Sequence, residues 1–218
     1  MSAVRLHPIS WPRLAAELAD RVERLTPADG GAWPRVLIDG APAARPERLA
    51  ADLAEELRLR GRAVQRVRSR SFLRPASIRL EYGHQDADAY FDLWLDDNAL
   101  FREVFTPLDP GGSGRVLPDL RDPDTDRSTR SPYVELPPGA VLVLDGPLLL
   151  GRWFPADLTV HLRMSQAALR RRTPEPEQWT LPAFARYQED VHPDEAADVL
   201  VRADDPERPA WNQPPDTP

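Results

Sequence analysis

Two short apolar segments that each run into an aspartate constrain the fold of this chain more than any other feature. Val141–Leu144 is a continuous apolar run that ends at Asp145. Such a run is typical of a central parallel strand that is buried on both faces of a sheet. Segment 35–39 ends in the same way at Asp39. We therefore expect two neighbouring parallel strands with both carboxylates at the carboxyl edge of the sheet, where α/β proteins bind ligands.

Helix and strand patterns alternate along the rest of the chain. This alternation predicts an α/β fold with a doubly wound, mostly parallel five-stranded sheet and helices on both faces. Segment 107–133 is rich in Gly, Pro, Asp and Arg and predicts loops or a short hairpin. We expect one domain over residues 1–203 and a proline-rich, acidic, partly disordered tail at 204–218. The predicted strands are 35–39, 63–69, 141–144, 157–163 and 198–202, and the predicted helices are 11–25, 46–60, 90–105, a short helix after Ser165, and 181–191.

The composition excludes several classes of function. A net charge of -7 over 218 residues disfavours nucleic-acid binding, because phosphate contacts need a basic surface. No apolar run is long enough to cross a membrane, so we expect no membrane partner and a cytoplasmic location. The chain has no cysteine, which excludes disulfides and thiolate metal sites, and its four histidines show no metal-ligand spacing.

The loop after segment 35–39 has the setting of a phosphate-binding loop but lacks its residues. A strand, Gly40, a run of small residues and a helix match the start of the pattern G-x-x-x-x-G-K-[ST]. The last three positions hold Arg45, Pro46 and Glu47. Proline removes an ammonium group and a backbone donor, and Glu47 places a carboxylate at the positive end of the helix. Because all 28 basic residues are arginine, any cation that serves phosphate here must be an arginine.

The loop and the two aspartates each have two interpretations. Either Arg45 or Arg48 binds phosphate in a modified site, or the loop is a turn that only joins strand to helix, which Pro46 and Glu47 favour. Asp39 and Asp145 could together hold Mg²⁺ through water, or they could accept hydrogen bonds from nearby loops.

Arginines crowd into segment 58–79, which predicts either an anion site or a solvated edge. Arg66 and Arg68 are two positions apart on an outer strand, so their side chains share one face, which we expect to face solvent. Arg70 lies in the expected ligand crevice and offers bidentate geometry to a phosphate or carboxylate. Arg170–Arg172 either cover a nucleotide or compensate the dipole of their short helix.

Five segments between residues 35 and 209 carry a family resemblance. They are Val36–Gly40, Phe72-Leu73-Arg74-Pro75, Leu108–Gly112, Val141–Leu150 and the ending at 197–209. In this order and spacing they resemble the uridine kinase-like proteins of the P-loop nucleoside kinase group, particularly bacterial uridine kinases of the actinomycete type. The resemblance implies a P-loop kinase-like fold, ATP and Mg²⁺ as cofactors and a nucleoside as phosphate acceptor. In that family an aspartate just before the Phe acts as base, and this chain has Arg70 and Ser71 there.

The resemblance and the residues together define candidate sites. The missing lysine, hydroxyl and base predict a uridine kinase-like pseudoenzyme with a degenerate P-loop, impaired in or lacking ATP-dependent nucleoside phosphorylation. One alternative is an active nucleoside kinase that uses arginine in place of the lysine; another is a non-catalytic module that binds a protein partner or senses a nucleoside or small anion. The nucleotide candidates are Gly40, Arg45, Arg48, Arg170 and Arg171, the substrate-pocket candidates are Arg70, Phe72, Arg74 and Tyr90, and the catalytic or metal candidates are Asp39 and Asp145.

Overall fold

A seven-stranded sheet forms the centre of the structure, a computed structural model that describes residues 5–212. The strands along the chain are β1 (His7–Pro8), β2 (Arg35–Gly40), β3 (Val64–Arg68), β4 (Arg115–Val116), β5 (Arg121–Asp122), β6 (Arg127–Ser128), β7 (Val134–Glu135), β8 (Val141–Gly146), β9 (Leu158–Arg163), β10 (Val199–Arg202) and β11 (Ala210–Trp211). The sheet order is β1-β11-β10-β9-β2-β8-β3, in which β10, β9, β2, β8 and β3 run parallel. These five are the predicted strands, so the doubly wound, mostly parallel α/β fold is confirmed. β1 and β11 add an antiparallel edge, and β5 and β6 form a hairpin within 107–133.

Helices cover both faces of this sheet. On one face, α1 (Trp11–Arg24) and α2 (Pro46–Leu59) bury their leucines against Val36 and Ile38 of β2. On the other face, apolar residues of segment 95–108 pack on Leu37, Leu142 and Leu144. No helix among residues 5–212 is long and apolar enough to cross a membrane. The remaining helices are α3 (Ala76–Arg79), α4 (Ala87–Asp92), α5 (Asp97–Leu100), α6 (Gln166–Arg172), α7 (Leu181–Asp190) and α8 (Pro193–Ala196).

The single helix predicted at 90–105 is wrong, because the chain breaks between α4 and α5. The Asp96 amide donates to the Phe72 carbonyl at 2.9 Å, which holds the break in an extended conformation. The Asp96 carboxylate then accepts a hydrogen bond from the Ala99 amide at 2.9 Å and caps α5. An aspartate at this position starts a new helix rather than continuing the old one.

The tail predicted at 204–218 belongs to the sheet as far as the structure describes it. Trp211 of β11 is 4% exposed and packs in the core beside α1. The Trp11 indole donates to the Pro206 carbonyl at 2.7 Å. Within 204–212, Ala210–Trp211 thus complete the sheet edge, and residues 213–218 of the predicted tail lie outside the described chain. The limits of the domain stay a prediction.

Candidate functional site

The loop that follows β2 closes on itself. Residues Pro42–Ala44 form one 3₁₀ turn, in which the Ala44 amide donates to the Ala41 carbonyl at 2.8 Å and the Arg45 amide to the Pro42 carbonyl at 3.0 Å. Pro42 and Pro46 have no N–H group. A phosphate-binding loop needs several amides that converge on the anion. Here four of the positions that would supply them are bonded internally or have no donor.

Gly40 has a structural role that does not involve phosphate. A Cβ atom at this position would lie 2.9 Å from Leu162 Cβ and 3.2 Å from the Leu162 carbonyl oxygen on the neighbouring strand β9. Only glycine allows the two backbones to approach this closely. The glycine that matches the start of the phosphate pattern is therefore explained by packing within the sheet.

Asp39 is a fully buried carboxylate whose oxygens are engaged by protein groups. One oxygen accepts from the Leu149 amide at 2.8 Å, and the other lies 2.6 Å from His161 Nδ1 and accepts from the Tyr187 hydroxyl at 3.0 Å. Burial and the Asp39 charge raise the pKa of Tyr187, so its hydroxyl stays protonated and remains a donor. Asp39 thus joins β2, β9, α7 and the segment after β8.

Asp145 does not join Asp39, although both residues end neighbouring strands. In the β2–β8 register Asp145 lies opposite Ile38, and Asp39 lies opposite Gly146. Because side chains alternate along a strand, the two carboxylates project from opposite faces of the sheet. Asp145 instead contacts Arg66, with 3.0 Å between Oδ1 and Nη2. Burial raises the pKa of Asp145, and the Arg66 charge partly opposes this shift.

Arg66 differs from the expectation that it faces solvent. Its side chain is 20% exposed, and Nη2 also donates to the Glu47 carbonyl at 2.9 Å. Arg66 therefore ties the start of α2 to Asp145. Arg68, in contrast, is exposed as expected.

A cavity of about 570 Å³ opens between this loop and segment 68–95, and we call it the front cavity. Two of the four substrate-pocket candidates line it, Arg70 and Tyr90. Arg70 pairs with Asp124 at 3.1 Å on the exposed rim. Phe72 is fully buried in the core, and Arg74 lies outside the lining. The charged residues that line the front cavity are Glu47, Arg68, Arg70, Arg79, Asp124, Asp145, Arg152 and Glu177.

Three aromatic rings form one wall of the front cavity. Tyr90 lies 5.1 Å from Trp94 and 5.6 Å from Trp179 between ring centroids, and the two tryptophans are 5.5 Å apart. Burial and the nearby Glu177 raise the pKa of Tyr90. Its hydroxyl has no hydrogen-bond partner among residues 5–212. We call Tyr90, Trp94 and Trp179 the aromatic trio; the sequence had indicated Tyr90 alone.

Two arginines of the front cavity were not identified from the sequence, the buried Arg79 and the half-buried Arg152. Arg79 donates to the Arg74 carbonyl at 2.7 Å, pairs with Asp126 at 3.1 Å and stacks 4.9 Å above the Trp94 ring. Arg152 pairs with Asp97 at 2.8 Å. Arg79 does belong to the arginine-rich segment 58–79, but nothing in its spacing separates it from the exposed arginines there.

The remaining nucleotide candidates do not converge on one site. Arg45 and Arg48 border a space of only about 20 Å³ on the outer side of the loop, beside Arg172. Arg172 donates to the Ala203 carbonyl at 2.7 Å, and burial lowers its pKa. Arg170 lines a different cavity, and Arg171 is exposed and lines neither that cavity nor the front cavity. A nucleotide cannot fit the space that the loop arginines border.

Magnesium and the phosphates of ATP do not fit the residues of this site. Within residues 5–212, no group of three or more histidines, aspartates and glutamates could hold a metal ion. Asp39 is satisfied by protein donors, and Asp145 lies against a guanidinium. The loop offers neither the lysine nor the amide cluster that triphosphates require.

The fold is that of the P-loop kinases. No family model and no curated protein matches the chain. A candidate uridine kinase from Bacillus stearothermophilus has a similar structure, with a TM-score of 0.68 and 20% identity over 86% of this chain and 97% of the other. A candidate fructose transport system kinase from Silicibacter sp. TM1040 gives a TM-score of 0.60 and 24% identity over 84% and 94%. The YGR205w protein has a TM-score of 0.54 and 11% identity over 89% of this chain and 93% of the other. At these identities the similarity establishes the fold alone.

Proposed function

We propose that this chain is a uridine kinase-like protein that binds a small ligand but does not transfer phosphate from ATP. The observation that carries the proposal is the closed loop, in which the Ala44 and Arg45 amides bond to carbonyls of the loop itself. Phosphoryl transfer depends on positioning and on stabilisation of the phosphate charges. Without converging amides, a lysine or a base, little of that stabilisation is left.

The alternative of an active kinase finds less support in the geometry. It needs Arg45 or Arg48 in place of the lysine, and both arginines lie beside a space too small for phosphates of a nucleotide. It also needs Asp39 and Asp145 around Mg²⁺, but their side chains project from opposite faces of the sheet. A role as a protein-interaction module, and a cytoplasmic location, stay predictions.

The front cavity supports a ligand-binding role. Its volume of about 570 Å³ falls in the range of small-molecule sites. The aromatic trio offers ring faces and edges for stacking, and the Tyr90 hydroxyl is free to bond a ligand. A nucleoside, with a planar base and a polar sugar, is the first candidate.

Two assays test this proposal. In the first, purified protein is incubated with MgATP and uridine, and chromatography follows uridine monophosphate; we expect no product above the protein-free control. Turnover that Asp145→Ala abolishes and Arg171→Gln preserves would contradict the proposal. In the second, uridine is expected to raise the melting temperature of the wild type. That increase should disappear in Trp179→Ala and persist in Trp153→Ala, which alters a tryptophan that is 91% exposed.

A further inference from the structure

A second cavity lies at the carboxyl end of β9, between α6 and α7, and we call it the side cavity. Its volume is about 690 Å³, and its lining includes Ala41 but none of residues 42–47. Leu148 lines both the side cavity and the front cavity. Because none of residues 42–47 lines the side cavity, a function for this cavity does not rest on the function proposed above.

The walls of the side cavity are largely apolar. Met164 and Leu169 approach from the β9–α6 segment, and Leu181 and Phe184 approach from α7. Contact with such side chains favours a ligand that removes apolar surface from water when it binds. An inorganic anion would gain nothing from these walls, and a ligand with an apolar body would.

Every permanently charged side chain that lines the side cavity is an arginine. Arg163, Arg170 and His161 line it, and among residues 5–212 no aspartate or glutamate does. This is unusual in a chain with 35 acidic residues and a net charge of -7. Arg170 is exposed and has no ion-pair partner within the described chain. Such a cation beside apolar walls favours an anionic group.

The nearest carboxylates are held away from the cavity by other groups. Asp39 lies behind His161 and Tyr187, both of which bond to it. Asp194 pairs with Arg163 at 3.1 Å and lies 3.6 Å from His161 Nε2. Asp39 is thus engaged by hydrogen bonds and Asp194 by the Arg163 ion pair, whereas Arg170 has no ion-pair partner within the described chain.

We propose that the side cavity binds a small organic anion, whose apolar body packs between α6 and α7 and whose carboxylate or phosphate group pairs with Arg170. Four probes that share a naphthalene ring isolate the charge: 1-naphthaleneacetate, 1-naphthyl phosphate, 1-naphthaleneethanol and 1-naphthylmethylammonium. We expect both anions to bind about tenfold more tightly than the alcohol, the size of one charge-assisted hydrogen bond. Which anion binds more tightly distinguishes a carboxylate ligand from a phosphate ester.

Substitution of single arginines tests whether Arg170 is the cation that pairs with the anionic group of the ligand. Calorimetry with Arg170→Gln should show that the preference for the anion over the alcohol is lost, and Arg171→Gln is the matched control because Arg171 is exposed outside the lining. Arg68→Gln, in the front cavity, should also leave the preference unchanged. The proposal is wrong if the ammonium compound binds as tightly as the anions, if Arg170→Gln retains the preference, or if neither anion shows saturable binding.

Methionine NMR locates the ligand without any change at Arg170. The chain has two methionines, Met1 and Met164, and Met164 lines the side cavity. With ¹³C-methyl-labelled methionine, Met164→Leu assigns the two signals. Saturation with 1-naphthaleneacetate should shift the Met164 signal in the wild type and in Arg171→Gln. An unchanged Met164 signal at saturation would place the ligand elsewhere and overturn the proposal.

Discussion

The front cavity and the side cavity lie at the same end of one sheet, but their charges are arranged differently. Four arginines and four carboxylates line the front cavity, and its arginines Arg70, Arg79 and Arg152 are held in ion pairs. The side cavity is lined by two arginines and a histidine, with no carboxylate among the described residues. Three of the four arginines of the front cavity are thus held in ion pairs, whereas Arg170 of the side cavity has no ion-pair partner within the described chain.

Asp39 bonds His161 and Tyr187, which line the side cavity, whereas Asp145 lines the front cavity. We expect the largest loss of unfolding free energy when Asp39 is replaced. Asp39→Ala leaves His161, Tyr187 and the Leu149 amide without their shared acceptor. Breaking a buried charged network costs about 3–5 kcal/mol of unfolding free energy. Asp145→Ala should cost less, because Arg66 is 20% exposed and can reach water. Urea denaturation measures both values; a smaller cost for Asp39→Ala would contradict the assigned roles.

Gly40 tests whether the loop is maintained for packing or for phosphate. Gly40→Ala places a methyl group 2.9 Å from Leu162 Cβ, and such overpacking costs about 1–3 kcal/mol. We expect this loss in urea denaturation, together with unchanged binding of naphthalene anions and of uridine. Wild-type stability in the variant would show that the sheet does not need glycine here, and the phosphate explanation of Gly40 would then regain support.

The smallest effect concerns the pH dependence of stability. Burial raises the pKa of Asp145 above its unfolded value of 3.8. The stability that this group contributes is therefore fully present below pH 3.8 and is lost as the pH rises through the higher folded pKa. Asp145→Asn does not titrate, so its unfolding free energy should increase relative to the wild type over that range, by roughly 1 kcal/mol for each unit of pKa shift.

Asp126→Asn is the control of opposite sign. The Ala76 amide, with Arg79, lowers the pKa of Asp126. Its contribution is present above the unfolded pKa and is lost as the pH falls, so this variant should lose stability relative to the wild type as the pH rises. Equal slopes in the two variants would contradict the burial of Asp145.

The fold could be predicted from the sequence to a large extent, and the site only in part. Continuous apolar runs such as Val141–Leu144 identify buried parallel strands whatever their partners are. In sequence, Asp39 and Asp145 look equivalent, since each ends such a run. They differ because the register sets Asp39 opposite Gly146, and register depends on pairing that no single segment encodes. Aspartate is a favoured N-cap residue, so Asp96 is a sequence signal for the start of α5, but the apolar pattern over 90–105 favours one continuous helix.

Arg79 and Arg66 show that the ion-pair partner of a charged side chain is also hard to predict from the sequence. Both lie in a segment crowded with arginines, and their roles depend on Asp126 and Asp145, which are 47 and 79 residues away. The loss of phosphate-binding residues from the loop could be predicted from the sequence, because proline and glutamate act locally on the backbone and on the helix end.

Calorimetric titration of MgATP tests the closed loop most directly, and it compares three proteins. The wild type keeps the closed loop, the triple variant Arg45→Gly, Pro46→Lys, Glu47→Thr restores the phosphate-binding pattern, and Arg45→Gly alone keeps the proline and the glutamate. We expect no saturable binding to the wild type or to Arg45→Gly up to about 1 mM MgATP. The triple variant should bind MgATP with a dissociation constant at least about tenfold below that limit. Saturable micromolar binding of MgATP to the wild type would contradict the account.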